Sequence, residues 1–86
     1  MMHTGTAVTV AGSQLVQLCV TGRRVQISSS DGEIWSGRAR TLALISIDNG
    51  VVQLEFAGRE WTIQLDDPDR FTWQFIPSLR RALDKW

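Results

Sequence analysis

Residues 23–65, RRVQISSSDGEIWSGRARTLALISIDNGVVQLEFAGREWTIQL, read as five short strands punctuated by turn signals at Asp31-Gly32, Asp48-Asn49-Gly50 and Ala57-Gly58. In the first, Arg24 to Ser29, Val25 and Ile27 alternate with polar neighbours, the period of a half-buried strand. The second, Glu33 to Arg40, carries Gly37 in its interior, where a glycine predicts a bulge or a sharp bend. Leu42 to Ile47 is almost continuously apolar, which predicts a central strand covered on both faces. Asn49-Gly50 readily takes positive φ and marks a hairpin into a fourth strand, where Val52, Leu54 and Phe56 alternate with Gln53 and Glu55. The fifth sets Trp61, Ile63 and Leu65 against Glu60, Thr62 and Gln64. Five such strands with a bend predict a small, strongly curved β-barrel.

The flanks are read from that barrel outward. Residues 1–11, small, Thr-rich and without Lys or Arg, predict a flexible arm or weak edge strand ahead of a barrel domain at 12–75. Ser13 to Val20, with Leu15, Leu18 and Cys19 at helical spacing and Thr21-Gly22 as a stop, predicts a short helix, with a strand as the alternative that its β-branched valines leave open. Asp66 to Arg70 reads as a turn fixed by Pro68. The alternation of Phe71, Trp73 and Phe75 predicts a short last strand or an extended segment that packs its aromatics on the barrel. Residues 76–86 form an amphipathic helix starting at Pro77, with Leu79, Ala82, Leu83 and Trp86 on one stripe. A helix this short needs a surface to dock on, either its own barrel or a second subunit.

With 86 residues the chain is one domain with a thin core, and four Trp and three Phe exclude bulk disorder. No apolar run is long enough to span a membrane. The N-terminal residues lack the pattern of a signal peptide, so a cytoplasmic protein is expected. Cys19, the single cysteine, reads as a small core hydrophobe. Nucleophilic catalysis needs a base beside the nucleophile, and the only histidine is His3, in the expected arm. Ser28-Ser29-Ser30-Asp31-Gly32 lacks the Lys and the following helix of a phosphate loop. Asp66-Asp67-Pro68-Asp69 lacks the spacing of a calcium loop. No enzyme, no cofactor and no metal site is expected.

The net charge is zero, yet no Asp or Glu precedes Asp31, and eight of the nine basic residues are Arg. Arg suits bidentate contact with phosphate or carboxylate. Arg23, Arg24, Arg38 and Arg40 with Trp35 make a candidate face for single-stranded RNA, a base stacking on Trp while Arg holds phosphate. Arg59, just after the Ala57-Gly58 turn, completes the candidate set for nucleic acid or a protein partner.

Two resemblances follow from these residues. Val25-Gln26-Ile27, Asp31-Gly32, Gly37 and Ala39 resemble the first half of an Sm-like motif, which implies a five-stranded Sm/SH3-like barrel. Leu18-Cys19, Asp31-Gly32-Glu33, Arg38-Ala39, Leu54-Glu55-Phe56-Ala57-Gly58, Ile63-Gln64-Leu65-Asp66 and Phe71 are similar to the Rof family of small bacterial antiterminators. That likeness implies a non-enzymatic regulator that docks on Rho factor, through the first helix and the strand edges, and modulates Rho-dependent termination. The Sm likeness implies instead an RNA-binding homo-oligomer, a ring built through the fourth and fifth strand edges. A third reading is a mobile-element accessory protein dimerising through its terminal helix.

Overall fold

The computed structural model describes residues 2–9 and 12–84. Expectations that involve Met1, Val10, Ala11, Lys85 and Trp86 lie outside the described residues. The fold is mainly β, with seven strands rather than five: β1 (Met2–Thr9), β2 (Gly12–Thr21), β3 (Arg24–Ser29), β4 (Gly32–Arg38), β5 (Ala43–Asp48), β6 (Val51–Phe56) and β7 (Arg59–Leu65). They form one antiparallel sheet in the order β4-β3-β2-β1-β7-β6-β5, curled into a half-barrel.

The stretch expected to be a flexible arm is therefore the middle strand of the sheet. β1 pairs with β2 along its whole length, from Met2 opposite Cys19 to Thr9 opposite Gly12, and with β7 from Gly5 opposite Leu65 to Val8 opposite Thr62. Its small residues suit that place. A Cβ on Gly5 would lie 2.6 Å from the Gln64 carbonyl oxygen and 2.8 Å from Ile63 Cγ2. The helix expected over Ser13–Val20 is also corrected, to strand β2. Val16 and Leu18 point inward at a period of two, and β-branched Val16 and Val20 favour a pleated surface. Only as a strand can this segment satisfy the backbone groups of both β1 and β3.

Gly37 does not make the bend. The register shift in β4 falls where Ile27 opposite Trp35 gives way to Ser28 opposite Glu33, leaving Ile34 as the extra residue. Gly37 instead lies against the Trp35 indole, which occupies the space a Cβ would take. The strand ends at Arg38, and residues 39–41 form a tight 3-10 turn between buried Ala39 and Leu42. That turn carries the chain away from β4, so β5 pairs only with β6 and lies at the sheet edge with all six residues exposed. The double-sided cover expected for residues 42–47 is absent from β5.

After β7 a continuous helical rod runs from α1 (Pro68–Arg70) through a π-helical stretch (Phe71–Phe75) into α2 (Ile76–Asp84). Asp67 starts it: its Oδ1 accepts from the Arg70 backbone N–H at 3.1 Å, with Pro68 in the first turn. The extended segment expected over Phe71–Phe75 is helical because Phe71, Phe75, Leu79 and Ala82 make one buried stripe along the rod. Trp73 falls off that stripe and is 79% exposed. The rod covers the inner face of the sheet, where Val16, Leu18, Val25, Ile27, Val52, Leu54 and Ile63 are buried with it in one core. No helix among the described residues is long and apolar enough to cross a membrane.

Candidate nucleic-acid interface

β2 and β3 are joined by the two-residue turn Gly22-Arg23, with Gly22 at φ 60° and Thr21 opposite Arg24. The Ala39 backbone N–H donates to the Arg23 carbonyl at 2.8 Å, tying this turn to the end of β4. Beyond it, Thr41 Oγ1 donates to the Arg38 carbonyl at 2.7 Å, and Leu42 N–H donates to the Ala39 carbonyl at 3.1 Å. Because Ala39 and Leu42 are sunk in the core, Arg38 and Arg40 on either side of Ala39 are turned to solvent. Arg23, Arg38 and Arg40 thereby line one narrow groove, floored by Ala82 of α2.

Arg24 stands directly opposite Arg38 across the β3–β4 ladder, and both are exposed. Like charges facing one another across a ladder are destabilising. Arg24 is drawn aside to Ser36, its Nη2 donating to Oγ at 3.4 Å. Arg23 and Arg38 have no carboxylate partner among the described residues. Beside the groove lies a second dip, formed by Val20, Gly22, Ser78 and Arg81, where Arg81 Nη2 donates to Ser78 Oγ at 3.3 Å. Sequence reasoning missed Arg81. Helical periodicity puts it on a polar face, and only the packing of α2 brings it beside the Gly22 turn.

Two members of the expected set are elsewhere. Trp35, opposite Ile27, points to the inner face of the sheet. There its ring stacks on Phe56, with centroids 4.8 Å apart and planes at 28°, and Phe56 stacks in turn on Trp61 at 5.4 Å and 10°. Arg24 and Arg38 occupy the outer face, so the sheet separates the indole from those guanidiniums. Arg59 lies over the Trp61 ring, Cζ 5.6 Å from its centroid, at a dip shared with Val8, Thr9 and Glu60.

The chemistry on offer is that of fixed cations. The serines that invite a catalytic reading, Ser29 and Ser30, line an open groove of about 300 Å³ with Thr4, Gln17 and Asp66, and the Asp66 carboxylate accepts from Thr4 Oγ1 at 2.7 Å. His3 is in the core, 4% exposed, edge-on to Phe71 at 5.6 Å and Phe75 at 5.7 Å. Its Nε2 has no partner, and burial, reinforced by the Arg70 guanidinium and opposed by Asp67, lowers its pKa. Among the described residues no three His, Cys, Asp or Glu side chains gather as metal ligands. No family model matches this chain, and no curated protein matches it.

Proposed function

We propose that this protein is a non-enzymatic binding module that holds the phosphate backbone of single-stranded RNA in the groove lined by Arg23, Arg38 and Arg40. The observation that carries the reading is the juxtaposition of like charges: Arg24 opposite Arg38, with Arg23 and Arg40 at the same groove. Without a ligand the facing of Arg24 and Arg38 costs stability, and an anion placed beside them turns that cost into charge-assisted hydrogen bonds. The module is then of the small-barrel, Sm-like kind in its use of an arginine edge. Trp35 does not serve it as a stacking platform, because its ring is engaged with Phe56 on the other face. Contacts limited to phosphate give affinity and register but little sequence preference.

The neighbouring readings are less well supported on physical grounds. A Rof-like regulator competing for the RNA site of Rho needs a docking face complementary to a basic surface, and clustered arginines oppose that. A mobile-element protein dimerising through its last helix needs a free apolar stripe, whereas Phe71, Phe75, Leu79 and Ala82 are buried in the chain's own core.

The test is the fluorescence anisotropy of labelled oligouridine, titrated with protein over a range of salt concentrations. Wild type binds at low salt, and the slope of log affinity against log salt falls by about 0.7 for each phosphate contact removed. Arg38→Ala and Arg23→Ala each weaken binding and flatten that slope, and Arg59→Ala changes neither. An affinity for oligouridine that is absent at low salt, or unaltered in Arg38→Ala, rules the proposal out.

A further inference from the structure

Strand β5 leaves the apolar inner face of the sheet unfinished. Leu44 stands opposite buried Leu54 and Ile47 opposite buried Val52, so both continue rows of the core. Yet Leu44, Ile45 and Ile47 are 37%, 45% and 36% exposed. Among the described residues no strand neighbours the outer edge of β5. Edge strands are ordinarily guarded by Lys, Pro or inward charges, and β5 has none of these, its single charge being Asp48 at the end.

From this edge we infer that the protein forms a two-fold dimer by antiparallel pairing of β5 with β5 of a second copy. The bulge at Ile45 is what makes the strand self-complementary. Leu44 pairs with Leu54 and Ser46 with Gln53, leaving Ile45 unpaired. Leu44 and Ile47, three residues apart, are thereby brought onto one face instead of opposite faces. A two-fold axis between Ile45 and Ser46 then sets Leu44 against Ile47 of the second copy, and the reverse, so the two cores meet along both rows. The same register puts Asp48 opposite Ala43, and the two Asp48 carboxylates lie at opposite ends of the ladder. Parallel pairing would set them side by side. The chain has zero net charge, so copies do not repel one another at long range. The opposite edge, β4, carries Glu33 and Arg38 and two glycines, and has no comparable apolar row. A pair of six-residue strands is smaller than the ~1,600 Å² of a standard interface, so association in the micromolar range is expected.

Sedimentation equilibrium of the RNA-free protein across a wide concentration range tests the dimer independently of RNA binding. The expected result is a monomer–dimer equilibrium, abolished by Ile45→Lys, with the far-ultraviolet circular dichroism of the variant unchanged. In a Cys19→Ser background, the double variant Leu44→Cys, Ile47→Cys is expected to oxidise to a covalent dimer, which decides the matter if Ile45→Lys does not fold. A monomer at every concentration, a dimer indifferent to Ile45→Lys, a larger ring, or failure of the cysteine pair to cross-link overturns the inference.

Discussion

His3 carries an imidazole into the core between β1 and the helical rod, where it meets the edges of two phenylalanines and leaves Nε2 without a partner. Burial lowers its pKa from 6.5, so the neutral form is the one the fold accepts. Above that value both the folded and the unfolded chain are neutral at this residue, and stability is undiminished. As the pH falls through 6.5 the unfolded chain binds the proton first, and stability declines until the pH passes the lowered folded value. Urea midpoints measured at about pH 7.5 and about pH 5.5 should therefore fall on acidification, and His3→Phe should remove most of the difference. A wild-type midpoint that does not move in that interval contradicts this account. Gly5 presents the complementary case. Its hypothetical Cβ meets backbone at 2.6 Å, which cannot swing aside, so Gly5→Ala should cost about 1–3 kcal/mol by urea denaturation. Neither role was legible in the sequence. Small residues and a lone histidine look the same in a loose arm and in a crowded central strand, and the difference lies in what β7 and the helix bring against them.

At the level of elements, the hairpins could be read and the long-range partners could not. Gly32 at φ 125°, Asn49 and Gly50 at 52° and 78°, and Gly58 at 75° mark turns that the residues themselves favour, whereas Ala57 takes 54° against its own preference. Turn chemistry is local, so β3, β4, β6 and β7 were recognisable from their residues. Leu15, Leu18 and Cys19 fall at helical spacing and give β2 the signature of a helix, yet Leu15 is an exposed outer residue. The rod carries the opposite signature. Phe71, Trp73 and Phe75 alternate, and only the i, i+4 relation of the two phenylalanines, carried on to Leu79, declares the helix. Leu79→Ala should accordingly cost about 2–5 kcal/mol as a core truncation, and Leu83→Ala less, since Leu83 is only half-buried. Equal and negligible costs in the monomer would mean that the rod does not dock on its own sheet. The candidate site divides in the same way. Arg38 and Arg40 were visible as neighbours in the chain, whereas the inward turn of Trp35 follows from its register with Ile27.

For the molecule as a whole, β1 joins two meanders that otherwise have no ladder between them: β2-β3-β4 on one side and β7-β6-β5 on the other. A chain beginning at Gly12 would keep every hairpin turn and lose the strand that unites them. It would expose new edges on β2 and β7 and uncover Leu18 and Val16 beside Ile63 and Leu65, all buried in the intact protein. With a core this thin, few kcal/mol separate folded from unfolded, and the loss of a central strand exceeds that margin. The truncated chain should show no cooperative thermal transition and no near-ultraviolet signal from its tryptophans. A synthetic peptide of residues 1–11, added in excess, should restore part of both, because β1 is one unbroken strand whose partners all lie in the remainder. If the truncated chain melts cooperatively near the temperature of the intact protein, residues 2–9 are dispensable and the sheet is held together by other means. The arginine groove depends on the same strand. Two of its walls, the β2–β3 turn and the end of β4, are tied to one another directly, but the third, α2, follows β7 in the chain, and β1 is the strand that joins the β7 side of the sheet to β2. Oligouridine binding should therefore vanish on truncation and return with the peptide, in step with the tryptophan signal.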